Sequence, residues 1–404
     1  MNVTQILEQE KCCGCTACLS ICPLKCISMV EDEQGFLRPQ VDNQKCIDCG
    51  QCEKVCPALH LFEERMPIKV WAAKNNDEAV RMSSSSGGIF MALADWTIQR
   101  GGVVFGARFD ENWEVMHDYA ETPEAVEAFK GSKYLQSRMG DCYVRAKEFL
   151  NAGRWVLFTG VQCQIAGLKK YLGKDYEKLI AVDVICHGVP SPLVWRNYVH
   201  HIHQQLTNGK GTIESISFRD KSRGWKRFGL AFRFKQPIES KGKPDSLSIH
   251  CETISTHNNL FKDLYLRGFL ALIYLRPSCY CCPSKRGRSQ SDITIGDYWG
   301  LPKELLDWDD DIGISLILVL SSKGANILEE LNVSKRLSTY KKGVKRNPNF
   351  AASSKKPKAS ELFWELYPQK GIAAIEAAVK KTEPSTVYRF LLKFYWLFKK
   401  VFKI

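Results

Sequence analysis

Short apolar runs, closed by glycine or polar residues, alternate along the middle of the chain with stretches of helical period. Residues 68–74, IKVWAAK, predict a strand. A small-residue loop follows, then an amphipathic helix from about Gly88 to Arg100 and a strand in VVFGARF. RWVLFTGVQCQIAGLKKYLG (154–173) reads as buried strand, sharp turn and helix. KLIAVDVIC (178–186) is another apolar strand, and HGVPSPLVWRNYVHHIHQ gives a turn and a helix. His200, His201 and His203 on that helix have no nearby carboxylate to complete a metal site, and read as solvated or packed. GLAFRFK and LSIHCE predict strands on either side of a polar surface loop, QPIESKGKPDS (236–246), and DITIGDYWG predicts a late strand. Strands alternating with helices indicate an α/β fold with a mixed or mostly parallel sheet.

The first 56 residues break this pattern and hold ten of the 17 cysteines. CCGCTACLSICP (12–23) and CIDCGQCEKVCP (46–57) both fit C-x2-C-x2-C-x3-C-P. At that spacing three thiolates hold one cubane and the fourth reaches the other. Cys12, Cys15, Cys18 and Cys56 are assigned to one [4Fe–4S] cluster, and Cys46, Cys49, Cys52 and Cys22 to the other. Zinc knuckles pair two C-x2-C units and do not string four cysteines in this way. Cys13 and Cys26 fall outside the pattern and read as packed residues.

Seven cysteines remain, and SCYCCP (278–283) crowds three of them together. Cys163 and Cys186 follow the C-terminal ends of two strands, the edge where ligands gather on open α/β sheets. With the C-x2-C pair Cys279 and Cys282 they offer four ligands from three segments. The Ser85–Gly88 loop precedes a helix, where backbone N–H groups can hold phosphate, although plain capping turns look the same.

Charge alters the picture at one end only. Of the formal +13, residues 341–404 carry 15 Lys and Arg against 4 Asp and Glu, so no nucleic-acid partner is expected of the body. MNVTQILEQEK lacks a basic start and an apolar run, and no segment reaches the ~18 apolar residues of a membrane span. A cytoplasmic, reducing location is expected, where close cysteines indicate metal or redox chemistry. Residues 341–360 read as a linker or a stretch laid over the surface, and GIAAIEAAVKK as a short helix. PSTVYRFLLKFYWLFKKVFKI (384–404) has the basic, aromatic character of a helix lying on the inner face of the membrane, or of one docked on protein.

SGGIF, GSKYLQS, FTGVQCQIAGL, DVICHGVPSP, SFRDKSRGW, the Cys279–Cys282 pair and SDITIGDYWG occur in this order. Together they resemble the coenzyme F-420 hydrogenase/dehydrogenase beta-subunit family over most of residues 1–320. The resemblance implies a bacterial-type ferredoxin module (1–64) fused to an α/β flavoprotein domain (65–335), followed by a basic linker and amphipathic C-terminal helix (336–404). It implies a third [4Fe–4S] cluster on Cys163, Cys186, Cys279 and Cys282. It implies FAD at Ser85, Ser86, Gly87, Gly88, Lys133, Thr159 and Gly160. His187 is the candidate catalytic proton donor, with support of the neighbouring cluster as its alternative role. The implied function is an iron–sulfur flavoprotein oxidoreductase that relays electrons between a ferredoxin-like donor, its clusters, FAD and a small-molecule or sugar-derived substrate. Bacterial relatives are associated with surface-polysaccharide synthesis. The alternatives are an electron-transfer subunit with no substrate of its own and a membrane-tethered scaffold.

Overall fold

Val156–Val161 and Leu179–Val184 are apolar at nearly every position because both faces of these strands are covered. They lie in the middle of the main sheet of the computed structural model, which describes residues 2–237, 251–259 and 263–382. In chain order the strands are β1 (Ile27–Glu31), β2 (Leu37–Val41), β3 (Lys69–Asn75), β4 (Val103–Phe109), β5 (Val115–Ala120), β6 (Val156–Val161), β7 (Leu179–Val184), β8 (Thr212–Asp220), β9 (Gly229–Pro237), β10 (Cys251–Asn259), β11 (Ile293–Asp297), β12 (Ser315–Val319) and β13 (Val333–Leu337).

The main sheet has eight strands in the order β13-β3-β12-β11-β7-β6-β4-β5. Its centre is parallel, through β4, β6, β7 and β11, and both flanks are antiparallel. The sheet is therefore mixed. An apolar run states that a strand is buried and is silent on its direction, which is why IKVWAAK gave no sign that β3 runs antiparallel to both neighbours. β1 and β2 form a hairpin in the cysteine-rich module, and β8–β10 form a separate antiparallel sheet.

Helices α1 (Ile89–Ile98) and α2 (Gln162–Leu172) cover opposite faces of the sheet. Leu93 of α1 packs with Val104, Leu157 and Ile180, whereas Leu168 of α2 packs with Phe105, Phe158 and Ala181. This is the two-residue alternation of a strand read from both sides. Cys13 and Cys15 belong to the α2 cluster, so the cysteine-rich module is seated on that face. Helix α3 (Pro192–Thr207) is capped by Ser191, whose hydroxyl accepts from the Val194 N–H. On it His200 is exposed, while His203 packs on Phe234 and bonds the Gly211 carbonyl.

GIAAIEAAVKK forms the expected short helix, whereas the residues before it are packed into the body. Phe350 is fully buried with Val70 and Tyr298. Helices α4 (Ala359–Lys370) and α5 (Ala373–Thr382) place Phe363, Ile375 and Ala378 in the core around Trp195 and Tyr274. The basic composition concealed this, because residues such as Lys370 and Lys380 lie on exposed faces while the apolar positions between them are buried. Residues 384–404 and most of the 236–246 loop lie outside the described residues, as do the first four residues of LSIHCE. Among the described residues no helix is long and apolar enough to cross a membrane.

Candidate iron–sulfur and cofactor site

The two cysteine loops are shaped by residues in the left-handed region. Thr16 (φ 65°) and Gly50 (φ 70°) precede the short helices Ala17–Ile21 and Gln51–Lys54, which turn each chain back on itself. One hollow is lined by Cys12, Cys15, Cys18 and Cys56, with Cys13 beside them. A second is lined by Cys22, Cys46, Cys49 and Cys52, with Cys26 beside them. These are the two crossed sets expected from the spacing. The Val3 N–H donates to Cys52 Sγ at 3.3 Å, as N–H groups do around cluster thiolates. Burial, followed by repulsion from Cys13, pushes the Cys56 thiol up to about 11.

The structure also draws together Cys163, Cys186, Cys279 and Cys282. Cys163 is the second residue of α2, two residues past the end of β6, and Cys186 lies two residues past β7. Cys279 sits on the short helix Pro277–Cys281, with Cys282 just after it. All four are partly buried, whereas Cys281 is exposed. N–H groups of Gly188 and Val189 point at Cys186 Sγ (3.3 Å) and Cys279 Sγ (3.4 Å). Burial, then the charges of Cys186 and Cys282, push the Cys279 thiol up. Cys163 is pushed up by its hydrogen bond with Cys13 first, then by burial and by Cys282 and Cys279. Thiols that raise one another in this way resist ionising together unless a cationic centre binds them. Cys13, left aside on spacing alone, lies between Cys15 and Cys163. No local signal marks that position, because the contact with Cys163 is made by the fold.

A cavity of about 580 Å³ opens beside this set. Ser85, Ser86 and Gly88 line it at the N-terminus of α1, Thr159 and Gly160 at the end of β6, and Cys186 and His187 past β7. Gly87 does not line it. Its N–H donates to Ser315 Oγ at 3.0 Å, and a Cβ there would stand 2.5 Å from the Ala73 carbonyl. Gly87 is thus needed for close approach to the sheet. Lys133 lines the cavity, but its Nζ donates to the carbonyls of Ala128, Lys130 and Gly131 at 3.1–3.2 Å. Burial pushes this lysine down to about 7. His187 is exposed to the cavity while enclosed by the protein, so burial and then Lys285 lower its pKa.

Sequence reasoning missed two parts of this wall. Arg219, from SFRDKSRGW, donates from Nη1 and Nη2 to Asp297 of SDITIGDYWG at 3.0 Å each, and its guanidinium lies 3.8 Å over Phe228. His117, in β5, bonds Ser137 Oγ (2.8 Å) and the Thr159 carbonyl (3.0 Å). Gln164 donates to the same Ser137 oxygen and accepts from the Val161 N–H, so the Thr159–Val161 turn is held from below.

Two four-cysteine sets seated on a mixed α/β sheet define an iron–sulfur electron-transfer protein. Residues 11–59 match the model of the 4Fe-4S dicluster domain, and residues 153–343 match that of the C terminus of the coenzyme F420 hydrogenase/dehydrogenase beta subunit. The chain thus carries a dicluster domain at its N-terminal end, followed by a region similar to the C terminus of this beta subunit. A chain from the xenon-derivatised F420-reducing [NiFe] hydrogenase complex of Methanosarcina barkeri is 17% identical, with a TM-score of 0.41, over 68% of this chain and 83% of that one. No curated protein matches.

Proposed function

We propose that the protein is an FAD-dependent iron–sulfur oxidoreductase working between a one-electron donor protein, such as a ferredoxin, and a small-molecule or sugar-derived substrate. The observation that carries this reading is one of continuity. Cys186 lines the cavity, it belongs to the Cys163–Cys186–Cys279–Cys282 set, and Cys163 reaches the dicluster module through Cys13. Those four cysteines would hold a third [4Fe–4S] cluster, for which four sulfur donors from three segments are the appropriate chemistry. FAD, when bound, supplies the exchange between one- and two-electron chemistry that iron–sulfur clusters lack.

The chain's own residues suit a flavin nucleotide. Ser85, Ser86 and Gly88 present the N-terminus of α1 to the cavity, where backbone N–H groups and the helix dipole favour a pyrophosphate. Thr159 and Gly160 give a floor that His117 and Gln164 keep rigid. Phe269, Leu266 and Phe228 make the opposite wall apolar and limit water. His187, with its lowered pKa, is neutral at pH 7 and holds one ring proton at the mouth of the cysteine set.

The test is to purify the protein anaerobically and determine iron, acid-labile sulfide and released flavin per chain. About twelve irons with about one FAD support the reading. About eight irons without flavin, in a fully loaded preparation, leave an electron carrier with only the dicluster domain.

A further inference from the structure

Arg276 is fully buried and begins the segment that leads into Cys279. Its guanidinium spans the joint between the cysteine-rich module and the body. Nε donates to the Cys12 carbonyl at 2.7 Å, Nη1 to Gln136 Oε1 at 2.7 Å and Nη2 to the Leu37 carbonyl at 2.8 Å. Nη2 also lies 3.6 Å from Cys12 Sγ, and the group stands over the Phe36 ring at 5.5 Å. Gly14 leaves room for it, since a Cβ there would stand 2.8 Å from Nη1.

Every oxygen acceptor of this arginine is neutral. Among the described residues no carboxylate forms an ion pair with it. Arg38 makes a useful contrast. It also donates to the Cys12 carbonyl, at 3.2 Å, but is paired with Asp32 at 2.8 Å. A guanidinium does not deprotonate in a protein, and burying one without an anion costs several kcal/mol. The anionic group that Arg276 touches is the Cys12 thiolate, with whatever that thiolate holds, and its charge also reaches the sulfurs of Cys13 and Cys279.

We infer that Arg276 is the built-in counter-cation of the first cluster site, fixing the Cys12 loop on the body and raising the reduction potential of the group held by Cys12, Cys15, Cys18 and Cys56. The inference rests on the dicluster reading. When the site accepts one electron from the donor, its charge falls by one and no bond or proton changes. A fixed cation at a ligand sulfur, away from water, favours that more negative state. Arg276 acts through Cys12 and is a positioning residue.

The experiment is an anaerobic redox titration of the holoprotein followed by electron paramagnetic resonance, on the wild type and on Arg276→Gln, Arg276→Lys and Gln136→Glu. Arg276→Gln is expected to lower the midpoint of one cluster by at least a tenfold change in its equilibrium constant, ~59 mV for a one-electron couple, and to move the others by less. Arg276→Lys, which keeps the charge, restores most of the shift. Unmoved midpoints in a fully loaded Arg276→Gln protein overturn the inference. Should that variant lose iron, Gln136→Glu decides, because it sets a carboxylate against Arg276 and leaves the latch in place. The same downward shift supports the inference, and an unchanged midpoint overturns it. A wild type with no cluster signal at all would instead refute the dicluster reading.

Discussion

Gly167 of α2 lies against Cys15 of the first cysteine loop. A methyl group at Gly167 would stand 3.0 Å from both Cβ and Sγ of Cys15, and 2.9 Å from the Tyr143 hydroxyl. Glycine in a helix ordinarily loses to alanine by about 1 kcal/mol. Here the close approach reverses that preference, because the Tyr143 hydroxyl is itself held by the Gln164 carbonyl at 2.6 Å and has nowhere to go. Gly167→Ala is therefore expected to destabilise by ~1–3 kcal/mol through overpacking and to lower iron per chain. Thermal unfolding with iron analysis checks this. A higher Tm with full iron, as helix propensity alone demands, would show that the two segments are not in contact.

Arg219 and Asp297 form a bidentate ion pair in the cavity wall. Asp297 accepts both guanidinium nitrogens and the Trp225 Nε1–H at 2.8 Å, and Trp225 is stacked on Trp299 at 4.5 Å. Asp297→Ala removes three hydrogen bonds and leaves a nearly buried cation, at an expected cost of ~3–5 kcal/mol. The double change Arg219→Met with Asp297→Ala is expected to cost less than Asp297→Ala alone, since no orphaned charge remains. Urea unfolding of the set measures the coupling. Additive costs would mean that the pair does not act as a unit.

The sequence disclosed what is local. Both C-x2-C-x2-C-x3-C-P runs carry their whole meaning within twelve residues, and the hollows at Cys12–Cys56 and Cys22–Cys52 follow. Val103–Phe109 was legible as a strand from its apolar run. What stayed hidden is made by distant partners. Arg219 and Asp297 are 78 residues apart, and Arg276 meets Cys12 across 264. Neither pair leaves a trace in spacing. His117 interrupts an ordinary edge strand, and only the fold sets it under Thr159. Helix α5 was legible in GIAAIEAAVKK, but α4 and the burial of both helices were masked by their lysines, which are exposed and irrelevant to where Phe363 and Ile375 go.

His117 gives a pH dependence of definite sign. Burial pushes it down to about 4, below the ordinary 6.5. Its folded-state pKa is depressed, so the unfolded chain binds the extra proton first. The stability that neutral His117 contributes is present above pH 6.5 and is lost as pH falls toward 4, by at most ~1.4 kcal/mol per pH unit. His117→Gln removes this titration. The stability gap between wild type and variant should therefore shrink from pH 7 to pH 5.5, as read from urea midpoints at each pH. A constant gap would place the titration elsewhere.

The four partly buried cysteines of the body can be separated from their neighbours by substitution. Cys279 and Cys282 act on Cys163, and Cys186 and Cys282 act on Cys279, from three segments, while Cys281 is exposed and Cys13 bonds Cys15 as well as Cys163. If the four are cluster ligands, each single change to alanine removes about four irons from a total of about twelve, because a cubane that loses one of four thiolates is poorly held. Cys281→Ala and Cys13→Ala should keep the full count. Loss of four irons in Cys13→Ala, with retention in Cys163→Ala, would make Cys13 the ligand and Cys163 its packed neighbour. That exchange is geometrically open, because the two sulfurs are in contact, and iron analysis of the paired variants decides between them. Full iron in all four single variants would leave SCYCCP without a metal, and the route from the dicluster module to the cavity would have to run without a third cluster.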